Sequence, residues 1–122
     1  MAAYTLKNGE EQLLTEARVS DRTKDNTGMA SGELILTSEA LVYNKKGSFG
    51  KDLGYDVYPL AEILVADGEP QVKIGTRLGL KNLEIHLADE RVVRFGLGSD
   101  NSAKRVQKWI DAIKNTITGQ ET

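Results

Sequence analysis

The sequence predicts a mainly β fold, α+β by content, in which about seven antiparallel strands form a small barrel or bent sheet capped by one C-terminal amphipathic helix. Three observations carry this expectation. Apolar residues alternate with polar ones at Val72-Ile74-Thr76, at Leu83-Ile85-Leu87 and at Val93-Phe95-Leu97, the period of half-buried strands. Clusters of turn formers separate these runs. After Gly98 the period becomes helical, with Ala103, Val106, Ile110, Ile113 and Ile117 on one stripe.

The elements follow in order. Leu13, Leu14, Ala17 and Val19 mark a first strand with imperfect alternation, and the turn-rich run Ser20 to Gly32 makes a long connection. Leu34-Ile35-Leu36 and Leu41-Val42-Tyr43 read as a hairpin, because the Thr37 and Ser38 hydroxyls between them can bond the turn backbone. A loop from Asn44 to Leu53 leads to Tyr55–Leu60, where Tyr55 and Val57 alternate with Asp56 and Tyr58 and Pro59 marks a strand edge or a bulge. Ile63–Ala66 reads as a short apolar strand closed by the turn Asp67-Gly68-Glu69-Pro70. Three further strands form a meander. In the helix, Trp109 stands at the border of the apolar stripe, Lys104, Arg105 and Lys108 are expected on the solvated face, and Gly119 is placed to end it.

Composition bounds the rest. A chain of 122 residues is the size of one domain, expected over 1–122 with a core from about Gly9 to Ile117. It contains no cysteine, which removes disulfides, thiolate nucleophiles and cysteine-built zinc sites, and which fits a reducing compartment. The net charge of -2 lacks the global positive field of a nucleic-acid binder. With no signal-like or membrane-spanning apolar run, a cytoplasmic location is expected, with the membrane surface open to it.

The order of elements resembles the pleckstrin-homology superfold, and more narrowly the bacterial pleckstrin-homology and GRAM-like domains. The residues behind the resemblance are Asn8-Gly9-Glu10-Glu11, Gly32-Glu33-Leu34-Ile35-Leu36-Thr37 with Leu41-Val42-Tyr43, Tyr58-Pro59-Leu60 with Ile63, and the terminal helix with Trp109. Ala40 stands where many relatives carry a basic residue, so no role is carried over to that position. The resemblance implies a binding module for lipid head groups, peptides or copies of itself, without choosing among them.

Candidate chemistry is sparse. Arg22 and Lys24 lie in the loop where phosphoinositide-binding members of the superfold cluster their cations, but Asp21 and Asp25 flank them. Lys45, Lys46 and Lys51, around Gly47 and Gly50, form a denser patch for an anion or lipid head group. Gly47-Ser48-Phe49-Gly50-Lys51-Asp52 spaces its glycines too closely for a P-loop, and Gly96-Leu97-Gly98 lacks the third glycine of a dinucleotide fingerprint. His86 is expected on the outside beside Glu84, with no nucleophile or metal partner set around it. The pairs Glu10-Glu11 and Asp89-Glu90 fall in turns, where hydration is expected to keep them ordinary. No catalytic residue, cofactor or metal site is assigned. The sequence reading is a non-enzymatic module for protein-protein interaction or self-association, with peripheral attachment to anionic lipid as the alternative.

Overall fold

The computed structural model of the chain describes residues 4–21, 31–46, 52–77, 80–97 and 103–119. Its elements are β1 (Gln12–Asp21), β2 (Ser31–Thr37), β3 (Ala40–Lys46), β4 (Asp52–Pro59), a 3-10 turn (Leu60–Glu62), β5 (Val65–Ala66), β6 (Glu69–Pro70), β7 (Val72–Arg77), β8 (Leu80–His86), β9 (Val92–Leu97) and α1 (Ala103–Thr118). Seven strands form one antiparallel sheet in the order β4-β3-β2-β1-β9-β8-β7, and β5 and β6 pair separately. The sheet is bent and open, with β4 and β7 as its two edges.

The bend follows from one aromatic contact. Tyr58 on β4 and Phe95 on β9 are separated by four strand spacings, about 19 Å across a flat sheet. Their ring centroids lie 6.3 Å apart, edge to face. The two halves therefore fold toward each other around Leu34, Leu36, Leu41, Tyr43, Leu83, Ile85 and Phe95, all buried. β1 is the strand common to both halves, pairing with β2 along most of its length and with β9 from Val19 to Asp21. Its imperfect alternation has a structural cause: the β1–β2 register shifts between Gln12 and Leu14 and again between Glu16 and Val19, where Arg18 takes a positive φ of 60°. Such bulges bend a strand and increase its twist.

Gly32 is set by a close approach. A Cβ there would lie 2.4 Å from the Asn44 carbonyl oxygen and 2.7 Å from the Tyr43 ring, and Tyr43 is held in place by a 3.0 Å hydrogen bond from its hydroxyl to the Val19 carbonyl.

The hairpin between β2 and β3 is closed by Thr37, whose hydroxyl oxygen accepts from the amides of Glu39 (3.1 Å) and Ala40 (3.0 Å). The strand at Tyr55 ends at Pro59, as its proline suggests, and Leu60–Glu62 continues as a 3-10 turn. The short strand expected over Ile63–Ala66 is divided. Ile63 bridges to Leu87, and Val65–Ala66 pairs with Glu69–Pro70 across Asp67-Gly68, both with positive φ. A single apolar run hid two separate partners.

Helix α1 packs on β6, β7 and β8, burying Val106, Trp109, Ile110 and Ile113, and Gly119 at φ 74° follows its last turn. Trp109 sits inside the core with 0% exposure, beyond the border position that the stripe assigns to it. Arg105 is corrected from the solvated face to an ion pair with Glu16 on β1, whose carboxylate it meets across the fold. Lys114 pairs with Glu69 at 3.2 Å.

Candidate functional site

The most developed surface feature is the outer face of β1–β4. Antiparallel register sets Thr15, Ile35, Val42 and Val57 side by side on one rung, and Glu33, Asn44 and Tyr55 on the next. Side chains alternate between faces, so these lie opposite the core residues Leu34, Leu36, Leu41 and Tyr43. Ile35, Ala40 and Val42 nevertheless form a second buried apolar cluster, and Tyr4 is packed against it.

Tyr4 reaches this face because the chain ahead of β1 doubles back. Gly9 adopts φ 87°, a left-handed conformation that costs a glycine little, and the Glu10 amide donates to the Lys7 carbonyl at 3.0 Å. The Tyr4 amide then donates to Asn44 Oδ1 (3.2 Å), and its ring meets Tyr55 edge to face at 5.3 Å. Its hydroxyl donates to the Glu10 carboxylate, 2.7 Å from Oε1.

Glu10 corrects the expectation of a hydrated turn carboxylate: it is only 7% exposed. Besides the phenol, it accepts from the Lys7 amide at 2.9 Å and from the Thr37 hydroxyl at 2.5 Å. Burial works against its ionisation, but the donors from Lys7, Thr37 and Tyr4 outweigh that and hold its carboxyl below the ordinary value. The Tyr4 phenol is pushed up to about 12, by burial first and then by its hydrogen bond to the negative Glu10. A signal was present in the sequence, since Thr37 stands at the hairpin and Glu10 just ahead of β1. Nothing in the spacing says that the N-terminal segment folds back onto them.

Beyond this buried cluster the face carries two exposed apolar side chains, Tyr55 at 42% and Val57 at 38%, both on the sheet edge β4.

Arg22, Lys24 and Lys51 lie outside the described residues. Lys45 Nζ lies 3.4 Å from Asp56 Oδ2, with both side chains well exposed. Lys46 ends β3 opposite Ser31 and Asp52, after a shift of the β3–β4 register.

The outer face of the other half-sheet is polar. Two side chains approach one oxygen of Glu84: Arg94 Nη2 is 3.4 Å from Oε1 and His86 Nε2 is 3.7 Å from it. His86 thus lies beside Glu84 as its alternation indicates, though half-buried. Asp89 departs from the ordinary turn carboxylate expected of it. The Arg91 amide at 3.1 Å and its guanidinium at 2.7 Å hold the Asp89 carboxyl below its usual range. Among the described residues no group of three His, Asp or Glu side chains is arranged to hold a metal ion, and no helix is long and apolar enough to cross a membrane.

Comparison with solved structures decides the architecture. The chain superposes on the Vps36 N-terminal PH domain with a TM-score of 0.66, at 15% identity over 93% of this chain and 86% of that one. The fold is pleckstrin-homology-like. A second pleckstrin-homology-like neighbour, the hSac2 domain from human phosphoinositide phosphatase Sac2, gives a TM-score of 0.65 at 10% identity, over 96% of this chain and 76% of that one. No family model and no curated protein matches the sequence. At these identities the likeness carries the pleckstrin-homology-like scaffold alone, and a function has to be argued from this chain's own surface.

Proposed function

We infer that the chain is a non-enzymatic binding module whose partner is a protein, a second copy included, received on the outer face of β1–β4 beside the open edge β4. The observation that carries this reading is the exposed apolar surface of Tyr55 and Val57 on the edge strand β4, on the same face as the buried Ile35–Val42 cluster. Edge strands are templates for added strands, and alternate side chains beside them supply specificity. Membership of the bacterial, GRAM-like group and a cytoplasmic location belong to the same reading, supported by the sequence motifs and the absence of cysteine.

Attachment to anionic lipid through Lys45, Lys46 and Lys51 has less support, because Asp56 already lies against Lys45. Arg22 and Lys24 are flanked by Asp21 and Asp25. Phosphate recognition needs several cations converging on one group.

Two measurements separate the readings. Sedimentation velocity over a range of concentrations is expected to show reversible self-association of the full chain, abolished by Val57→Lys with Tyr55→Ser. Vesicles containing anionic lipid are expected to leave the protein in the supernatant. Salt-sensitive pelleting lost on replacing Lys45, Lys46 and Lys51 by Ser, with no self-association, overturns the protein-partner reading.

A further inference from the structure

We propose that the pocket occupied by Tyr4 is a tyrosine-reading site, filled in the resting chain by its own N-terminal segment, and that its partner ligand is an extended peptide segment bearing a tyrosine. This rests on the protein-partner reading above and names the chemistry of the partner.

Three buried polar side chains build the site. Glu10 offers a carboxylate to a phenol hydroxyl, Asn44 offers its side-chain oxygen to the amide of the same residue, and Thr37 fixes the Glu10 carboxylate from behind. Ile35, Ala40 and Val42 form the apolar floor, and Tyr55 is the aromatic wall. The ligand is thus read at three points: ring, hydroxyl and backbone N–H. A phenylalanine fills the floor but leaves the ionised Glu10 one donor short, and hydrogen bonds to charged groups are the strong ones.

The resident segment is lightly held. Residues 5 to 9 are all exposed, so among residues 4–9 Tyr4 is the one part-buried side chain, and Gly9 supplies a pivot. A segment with so few buried contacts opens at a small fraction of the global stability. Its advantage is the tether, which presents Tyr4 at an effective concentration on the order of millimolar. A free segment competes against that, so the intact chain binds it with an affinity lowered by the fraction of pockets already filled.

The test uses the full chain carrying Tyr4→Ala and the peptide acetyl-Tyr-Thr-Leu-Lys-Asn-Gly-amide, which copies residues 4–9. Saturable binding is expected, at least about tenfold tighter than to the unaltered chain, and weakened about tenfold or more when the peptide carries Phe for Tyr. Adding Glu10→Gln to Tyr4→Ala is expected to shrink the preference for Tyr over Phe. A cooperative melt of each variant guards against misfolding. Independently, excess peptide added to the isotope-labelled, unaltered chain must speed hydrogen exchange at the Tyr4 and Lys7 amides. Absence of saturable binding, or equal affinity for the Tyr and Phe peptides, overturns the proposal. If the peptide fails while Val57→Lys with Tyr55→Ser still abolishes self-association, the tyrosine site falls and the protein-partner reading stands.

Discussion

The indole N–H of Trp109 donates to Glu16 Oε1 across 3.2 Å, while the Arg105 guanidinium takes the other oxygen of the same carboxylate at 2.5 Å. Trp109 and Arg105 are four residues apart on one face of α1, so a single β1 carboxylate fixes both the rotation and the height of the helix. The helix thereby closes the bent sheet with a polar clamp at the rim of an otherwise apolar seal.

Trp109→Ala removes the largest of the fully buried side chains together with one partner of Glu16. A loss of about 3 to 5 kcal/mol is expected, which lowers Tm by roughly 10 to 20 °C for a domain of this size. In the unaltered protein, emission from this single tryptophan should be blue-shifted and poorly quenched by iodide. A freely quenched emission would contradict the burial. Trp109→Phe keeps most of the apolar volume and is expected to cost less than the alanine variant by thermal melting.

Gly32→Ala is expected to destabilise by about 1 to 3 kcal/mol, the range for overpacking. The added methyl meets the Asn44 backbone oxygen at 2.4 Å, which moves only if the β2–β3 pair moves with it. Chemical denaturation that finds Gly32→Ala as stable as the parent would show that the strands separate without penalty.

Thr37→Val tests the polar knot beneath the hairpin. The hydroxyl accepts from two amides and donates to buried Glu10, so its loss leaves three groups short of a partner. A cost of about 1 to 3 kcal/mol is expected, and Thr37→Ser, which keeps the oxygen, should recover most of it. Equal stability of the Val and Ser variants in a denaturant titration would contradict the role of the hydroxyl.

The contrast between these positions shows what a sequence carries. Periodicity marks residues that bury one face, and so Leu83-Ile85-Leu87, Val93-Phe95-Leu97 and the helical stripe were legible together with the fold. The Thr37 hydroxyl at the hairpin was legible as well, because its bonds to the Glu39 and Ala40 amides are local, whereas Ser38 Oγ accepts from the distant Glu11 amide. Glu10 was not, since the bonds its carboxylate accepts come from a residue 27 positions away and from a segment with no periodic pattern. Arg105 was misplaced for a related reason: a charged residue on a helix reads as solvated until a long-range partner, here Glu16, is known. Tyr55 and Val57 showed their alternation, but nothing local says that their side of β4 is the outer one.

The pH dependence of the Tyr4 contact follows from the two groups that make it. Glu10 has a depressed carboxyl in the fold, so its contribution is fully present above its ordinary value of 4.5 and is lost as pH falls through the lower folded value. Tyr4 has a raised phenol, so its contribution is fully present below 10.0 and is lost as pH rises toward about 12. Glu39 and Tyr55 add to the upward push on Tyr4, and Lys7 to the downward pull on Glu10. The segment should therefore stay docked across neutral pH and detach at both extremes. Nuclear magnetic resonance signals of Tyr4 and the Ile35 and Val42 methyls are expected to shift together at each limb. Glu10→Gln should abolish the acid limb and bring the Tyr4 phenol back toward its ordinary value. An acid limb that survives Glu10→Gln would assign the transition to other carboxylates and remove Glu10 as the holder of the segment.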